Sequence, residues 1–359
     1  MQFTLGLDGN NPVPVNEEKE STYKIFPKER IIDCAFDYYR KTGFPYPKME
    51  LHEMMQLIND LADLSEESLM YSSVGARIAD VYNPHRFDVE IVQKYKAPET
   101  FLKDVALKKA IRLQLEHGKC GTGYFSILSL VNGTQVAANF KPAYSLLMYK
   151  KYAFPGATIL DTSTGFGGRL VGFMASDCGK YIGIDPNTLT CQCNQRMVDD
   201  LGFTDKVTII NLPVEDVEFA FANTCDFAFT SPPYFSKEHY CNEETQSWKR
   251  YTTGEAWKNG FLKKMLAFQF HALKPGAKSV INISDVKIKD VVYPLAQWTI
   301  DCAKEVGFIH IDNEKYPMSR MGANLEDKPK FEPAPVFMKP KETTMTLPKY
   351  EENHAITPN

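Results

Sequence analysis

Thr158-Ile159-Leu160-Asp161-Thr162-Ser163-Thr164-Gly165-Phe166-Gly167-Gly168-Arg169-Leu170 is the stretch that decides the fold. A short β-forming run ends in an acid, three small polar residues follow, and a Gly-x-Gly-Gly turn opens into a helical stretch. Glycine at such a turn lets the backbone bend sharply and lie close to what it faces. Working outward, the unit repeats. Tyr181–Asp185, Val207–Ile210, Phe227–Thr230 and Ser279–Ile283 are β-rich apolar runs, separated by helical stretches near 169–176, 187–201, 255–273 and 290–306. That alternation predicts an α/β fold, a Rossmann-like parallel sheet with helices on both faces. Ile309, Ile311 and Val336-Phe337-Met338 predict a closing pair of strands.

Upstream the periodicity changes to that of helices. Apolar groups recur at helical spacing from Glu29 to Tyr39 and from Met49 to Leu64, with a break at Phe44-Pro45-Tyr46-Pro47. A third helix is expected from Phe101 to Glu116, ending at Gly118, and residues 1–20 read as an irregular arm. The expected division is a mostly helical region over 1–135, a catalytic α/β domain over 136–340, and a tail over 341–359.

Composition narrows the class. No run of eighteen apolar residues occurs in the 359, so no membrane-spanning helix is expected. The opening Met1-Gln2-Phe3-Thr4 lacks the basic-then-apolar layout of a secretory signal. The eight cysteines form no zinc-type pair of Cys-x-x-Cys units. They read as reduced thiols of a cytoplasmic protein. The net charge of −4 counts mildly against a large phosphate footprint, although Lys94 to Lys119 holds seven basic residues against three acids. A solvated helix face accounts for that cluster about as well.

Ligands of open α/β sheets bind beyond the carboxyl ends of the strands. Asp161 ends the first strand and Asp185 the next, where an acid can accept both hydroxyls of a ribose. The loop is not Gly-x-Gly-x-x-Gly, because the third glycine stands at 168 and Arg169 follows it. Nor does it carry the Lys-Ser/Thr of a phosphate-gripping loop. It suits a ligand with an adenosine and no pyrophosphate, as S-adenosylmethionine is. Farther on, a strand runs into Ser231-Pro232-Pro233-Tyr234. Two prolines fix φ and hold the preceding residue extended. The rigid turn aims Ser231 and the Pro232 carbonyl at one point and offers the Tyr234 ring as a stacking face.

On these two motifs the chain resembles the amino-methyltransferases that modify DNA bases. Ser231–Tyr234 is similar to their Asp/Asn/Ser-Pro-Pro-Tyr/Phe motif, and Asp161–Gly167 to their D-x-x-x-G-x-G cofactor loop. Asn139-Phe140-Lys141-Pro142-Ala143-Tyr144 resembles the segment covering the methionine end of the cofactor. Leu273–Ala277 and Phe331–Phe337 resemble the family's later turn and terminal strand, so the resemblance spans about 135–340. The motif order is the γ-like one, cofactor loop before catalytic motif.

The resemblance implies S-adenosylmethionine as cofactor, with Phe140, Lys141, Pro142, Asp161, Gly165, Gly167, Arg169 and Asp185 as its binding residues. Ser231, Pro232, Pro233 and Tyr234 would be catalytic. Ser231 Oγ and the Pro232 carbonyl would accept the two N–H bonds of an exocyclic amine as it attacks the methyl. DNA is the expected partner, its base extruded or single-stranded. Serine favours cytosine N4 over adenine N6, and target recognition falls to residues 1–135. Transfer to RNA or to a protein amide, or a silent binding module of the same fold, are the alternatives. Glu238, His239 and Tyr240 are expected over the base pocket. Trp248, Tyr251 and Trp257 read as stacking or as core residues, and Asp285 is a candidate to face the site.

Overall fold

In the computed structural model, residues 27–116, 133–218, 221–318 and 330–341 are described. Helices α1 (Lys28–Thr42), α2 (Leu51–Ala62), α3 (Glu66–Tyr71) and α4 (Ala76–Tyr82) lead to the short strand β1 (Glu90–Ile91), then α5 (Ala97–Phe101) and α6 (Asp104–Glu116). After α7 (Pro142–Tyr152) the alternating part runs β2 (Thr158–Asp161), α8 (Gly168–Met174), β3 (Lys180–Ile184), α9 (Thr188–Asp200), β4 (Val207–Ile210), β5 (Cys225–Thr230) and β6 (Glu238–His239). The chain continues through α10 (Ser247–Arg250), α11 (Gly254–Trp257), a π turn over Lys258–Leu262, α12 (Lys263–Ala272) and β7 (Leu273–Ile281). A hairpin of β8 (Val286–Ile288) and β9 (Val291–Tyr293), helix α13 (Leu295–Val306), β10 (Ile309–Pro317) and β11 (Phe331–Met338) complete it.

Seven strands form one sheet in the order β10-β11-β7-β5-β2-β3-β4. The strands from β7 through β4 are parallel neighbours, while β11 runs antiparallel to both β7 and β10. This is the expected α/β, Rossmann-like fold with its closing pair. The two-residue period of the strands divides the core between the faces. Ile159, Phe227, Phe229, Val280 and Val336 pack with α2, α4, α7 and α8. Their neighbours Leu160, Ala228, Ile281 and Phe337 pack on the other face with Trp257, α12 and α13.

Several expected boundaries move. The division near residue 135 does not separate two cores: Met54, Ile58, Leu61, Leu69 and Ile78 share the cluster of α7 and the sheet. Only α1, α5 and α6 form a cluster of their own, around Ile32, Phe101 and Leu107. The helix expected over 101–116 breaks between Phe101 and Asp104, so that α5 and α6 are separate. The turn expected at Lys274-Pro275-Gly276 lies inside β7, where Gly276 takes φ +81° and the pairing register with β5 shifts between Cys225 and Phe227. The seven described cysteines are free, and no helix among the described residues is long and apolar enough to cross a membrane.

A buried ion pair ties α4 to the turn at Pro84–Asp88 and to the loop before α7. Arg86 donates from Nε to Asp80 Oδ1 (2.6 Å), from Nη2 to Asp80 Oδ2 (2.7 Å) and from Nη1 to the Ala137 carbonyl (2.7 Å). Removing one partner leaves the other charged and desolvated. Arg86→Ala is therefore expected to destabilise the fold by about 3–5 kcal/mol, read as a shifted urea midpoint at unchanged slope.

Candidate functional site

The chain leaves β2 towards β3 and β4, then crosses back to β5 on the other side of β2. Strand order thus reverses between β2 and β5, and a crevice opens at such a switch point. Both sequence motifs stand there, Thr162–Arg169 after β2 and Ser231–Tyr234 after β5. They border one cavity of about 380 Å³. Phe140, Gly165, Asp185, Ser231, Tyr234 and Glu332 are on its wall.

The loop after β2 is held from four sides. Thr164 N donates to the Ile184 carbonyl (3.0 Å) and Gly165 N to Asp185 Oδ2 (2.8 Å). Asn194 Nδ2 donates to the Gly165 carbonyl (2.8 Å), and Asn83 Nδ2 to the Phe166 carbonyl (3.1 Å). Gly165 and Gly167 have φ +56° and +82°, where any side chain is strained. A Cβ on Gly168 would run into the Phe140 carbonyl, so the 139–144 segment can lie on the loop only over glycine.

Of the residues expected to hold a cofactor, Phe140, Gly165, Arg169 and Asp185 line the cavity. Asp161, Lys141, Pro142 and Gly167 do not. Asp161 is fully buried and fully used. Its Oδ2 accepts from Arg169 Nε (2.7 Å) and the Tyr181 hydroxyl (2.6 Å), and its Oδ1 from Thr230 Oγ1 (2.8 Å), Arg169 Nη2 (3.3 Å) and Ser163 N (3.2 Å). Arg169 also donates to the Ser163 carbonyl, so its guanidinium is occupied by the protein and its wall contribution is a neutralised one. Lys141 points away, donating to the Pro317 carbonyl (2.9 Å), and Pro142 is the buried first residue of α7. Gly167 is a backbone requirement of the loop, as the entry to α8.

Asp185 differs from Asp161 in having capacity left. Each oxygen accepts one backbone N–H, from Gly165 and from Asn187 (2.9 Å), and a carboxylate oxygen can accept another. Burial raises its carboxyl to about 6, with the two backbone donors pulling the other way.

Around Ser231 the structure adds two residues that the motifs did not announce. Asn282, just beyond β7, and Glu332, near the start of β11, meet the phenol of Tyr234. Tyr234 donates to Glu332 Oε2 (2.9 Å), while Asn282 Nδ2 reaches Tyr234 Oη (3.0 Å), Glu332 Oε2 (3.0 Å) and, at 3.5 Å, Ser231 Oγ. Burial first, and then Glu332, push the Tyr234 phenol well above its ordinary value. Polar Asn282 within the apolar run Val280-Ile281-Asn282-Ile283 is a signal that the sequence does carry. Glu332 gives none, since only pairing with Tyr316 across β10 brings it here.

The accessory residues sort themselves. Glu238, Tyr240 and Trp248 line the cavity, and Tyr240 donates to Glu238. His239 stacks on Trp248, with centroids 4.0 Å apart. Trp257 is fully buried in the core, and Asp285 turns away to accept from Ala296 N (3.1 Å). On the cavity wall Gln246 Nε2, Trp248 Nε1 and Asn282 Oδ1 are buried with no partner among the described residues.

With its free lone pairs facing the cavity, Asp185 favours a ligand hydroxyl only while ionised. Affinity for a ribose-bearing cofactor should hold above pH 6 and fall about tenfold per unit as the pH drops below about 6. Calorimetry from pH 5 to 8 checks this, and Asp185→Asn should abolish the slope. Asp185→Ala should cost about 1–3 kcal/mol of binding.

No protein-family profile matches the chain. No curated protein matches it. Among solved structures, it is similar to an S-adenosylmethionine-dependent O-methyltransferase from Thermotoga maritima (13% identity, 58% of this chain and 67% of that one, TM-score 0.36). It is also similar to an S-adenosylmethionine-dependent methyltransferase from Aquifex aeolicus (19%, 55% and 89%, 0.35). A geranyl diphosphate methyltransferase in complex with the same cofactor matches at 12% identity, over 60% of this chain and 90% of that one, with TM-score 0.40.

Proposed function

We propose that this protein is an S-adenosylmethionine-dependent methyltransferase acting on the exocyclic amino group of a DNA base, cytosine N4 in preference to adenine N6. The observation that carries the reading is the meeting of Ser231-Pro232-Pro233-Tyr234 with the loop after β2 on one cavity at the switch point. The residues present fit the cofactor. Asp185 has acceptor capacity for a ribose, and Phe140 supplies an apolar wall. When bound, the cofactor supplies an electrophilic sulfonium methyl.

The chain's own residues supply the rest. An exocyclic amine is a weak nucleophile because its lone pair is delocalised into the ring. Ser231 Oγ and the Pro232 carbonyl, on a turn stiffened by two prolines, accept its N–H bonds and favour rehybridisation towards the attacking geometry. Pro-Pro rigidity matters because such acceptors help only if they need no rearrangement at the moment of transfer. Recognition of DNA by residues 1–135 remains part of the proposal, and residues 1–26 and 117–132 of that region lie outside those described. An extruded or single-stranded base is required, since an amine within a base pair cannot enter a pocket at a strand end.

Incubation with methyl-labelled S-adenosylmethionine and varied DNA and RNA, followed by nucleoside mass spectrometry, should yield N4-methylcytosine from DNA. N6-methyladenine alone would reverse the choice of base, and label in RNA alone would reverse the choice of nucleic acid. Ser231→Ala should lower turnover by about 10²–10³-fold, with cofactor affinity nearly unchanged.

A further inference from the structure

Resting on that reading, we propose that Glu332 is a catalytic residue of the site, the carboxylate that receives the proton of the methylated amine. Serine at 231 leaves the motif itself without an anion, and Glu332 brings one to it from β11. It is on the same cavity wall as Ser231 and Tyr234. Both of its hydrogen bonds, from Tyr234 and Asn282, fall on Oε2, and among the described residues Oε1 accepts none. The two bonds fix the carboxylate and leave it an oxygen with which to act.

The step balances. The amine lone pair forms the N–C bond as the C–S bond breaks, its electron pair going to sulfur. The nitrogen, now cationic, breaks one of its two hydrogen bonds to the motif, gives that N–H proton to Glu332, recovers its lone pair and becomes a neutral methylamine, and the carboxylic acid returns the proton to water. Before the proton moves, the anion also stabilises the growing positive charge, which a hydroxyl cannot match. The groups around Glu332 leave this role to it. Tyr234 from the motif loop and Tyr316 from β10 are phenols whose pKa values are raised, chiefly by burial. Glu238 accepts from the Tyr240 hydroxyl and, unlike Glu332, is hydrogen-bonded to neither Tyr234 nor Asn282 among the described residues. Lys237, also on the wall, is a cation and accepts no proton.

Glu332→Gln keeps an oxygen for Tyr234 and Asn282 and removes the charge, whereas Glu332→Asp keeps the charge. On an oligonucleotide that the wild type methylates, the glutamine variant should lose about 10²-fold or more in kcat with KM and cofactor affinity little changed, and the aspartate variant should recover part of it. A second readout needs no turnover. With the demethylated cofactor bound, the wild type should prefer a strand whose acceptor base is a fixed cation, 3-methylcytosine or 1-methyladenine, about tenfold or more over the unmodified strand. Glu332→Gln should lose that preference. Equal kcat, or an unchanged preference for the cation, overturns the role of Glu332 alone. A wild type that methylates no nucleic acid overturns the functional reading and this inference with it.

Discussion

The fully buried ion pair of Asp161 with Arg169 is the constraint on which the rest of the site depends. Neither group can be ionised in the core without the other, because an uncompensated buried charge is far costlier than a paired one. Arg169 lies on α8 and Asp161 at the end of β2, so the pair fixes how the chain turns between them. Tyr181 from β3 and Thr230 from β5 donate to the same carboxylate, at 2.6 and 2.8 Å. One side chain therefore ties β2, β3, β5 and α8 together at the place where the strand order reverses. The residue after Thr230 is Ser231, so the Ser231–Tyr234 turn starts one peptide from this knot.

Two acids end adjacent strands and do opposite work. Asp161 receives five donors and is closed to any ligand. Asp185 receives two and faces the cavity, at the cost of a carboxyl raised to about 6 by burial. A fully satisfied acid builds and an under-satisfied acid binds.

How far the sequence is legible follows from whether a signal is local. The strand–helix alternation, the glycine loop and Ser231–Tyr234 are contiguous, and each stands where its pattern places it. Phe140 is local in the same sense, because Gly168 marks the close approach that seats its segment. What the sequence does not give depends on partners far along the chain. Asp161 looks the same as Asp185 in sequence, and only Tyr181 and Thr230 distinguish it. Glu332 enters through its cross-strand pairing with Tyr316, which no short-range pattern contains. The boundary near 135 marks a change of periodicity. Periodicity reports secondary structure, whereas the core is decided by packing, and α2–α4 pack on the sheet.

The basic run from Lys94 fits a phosphate contact surface and a solvated helix face about equally in sequence. In the fold, part of it faces α1 across the small cluster. Lys108 pairs with Asp33 at 2.8 Å, Arg112 with Glu29 at 3.4 Å, and Lys28 returns the exchange to Glu116 at 2.9 Å. Pairs this exposed add little stability one by one, but they do balance charge locally. A phosphate drawn to Lys108 or Arg112 must compete with a carboxylate already in place, and counterion release per contact falls accordingly. The gain from gripping DNA through this face is thus smaller than its count of basic residues implies. That agrees with a net charge of −4.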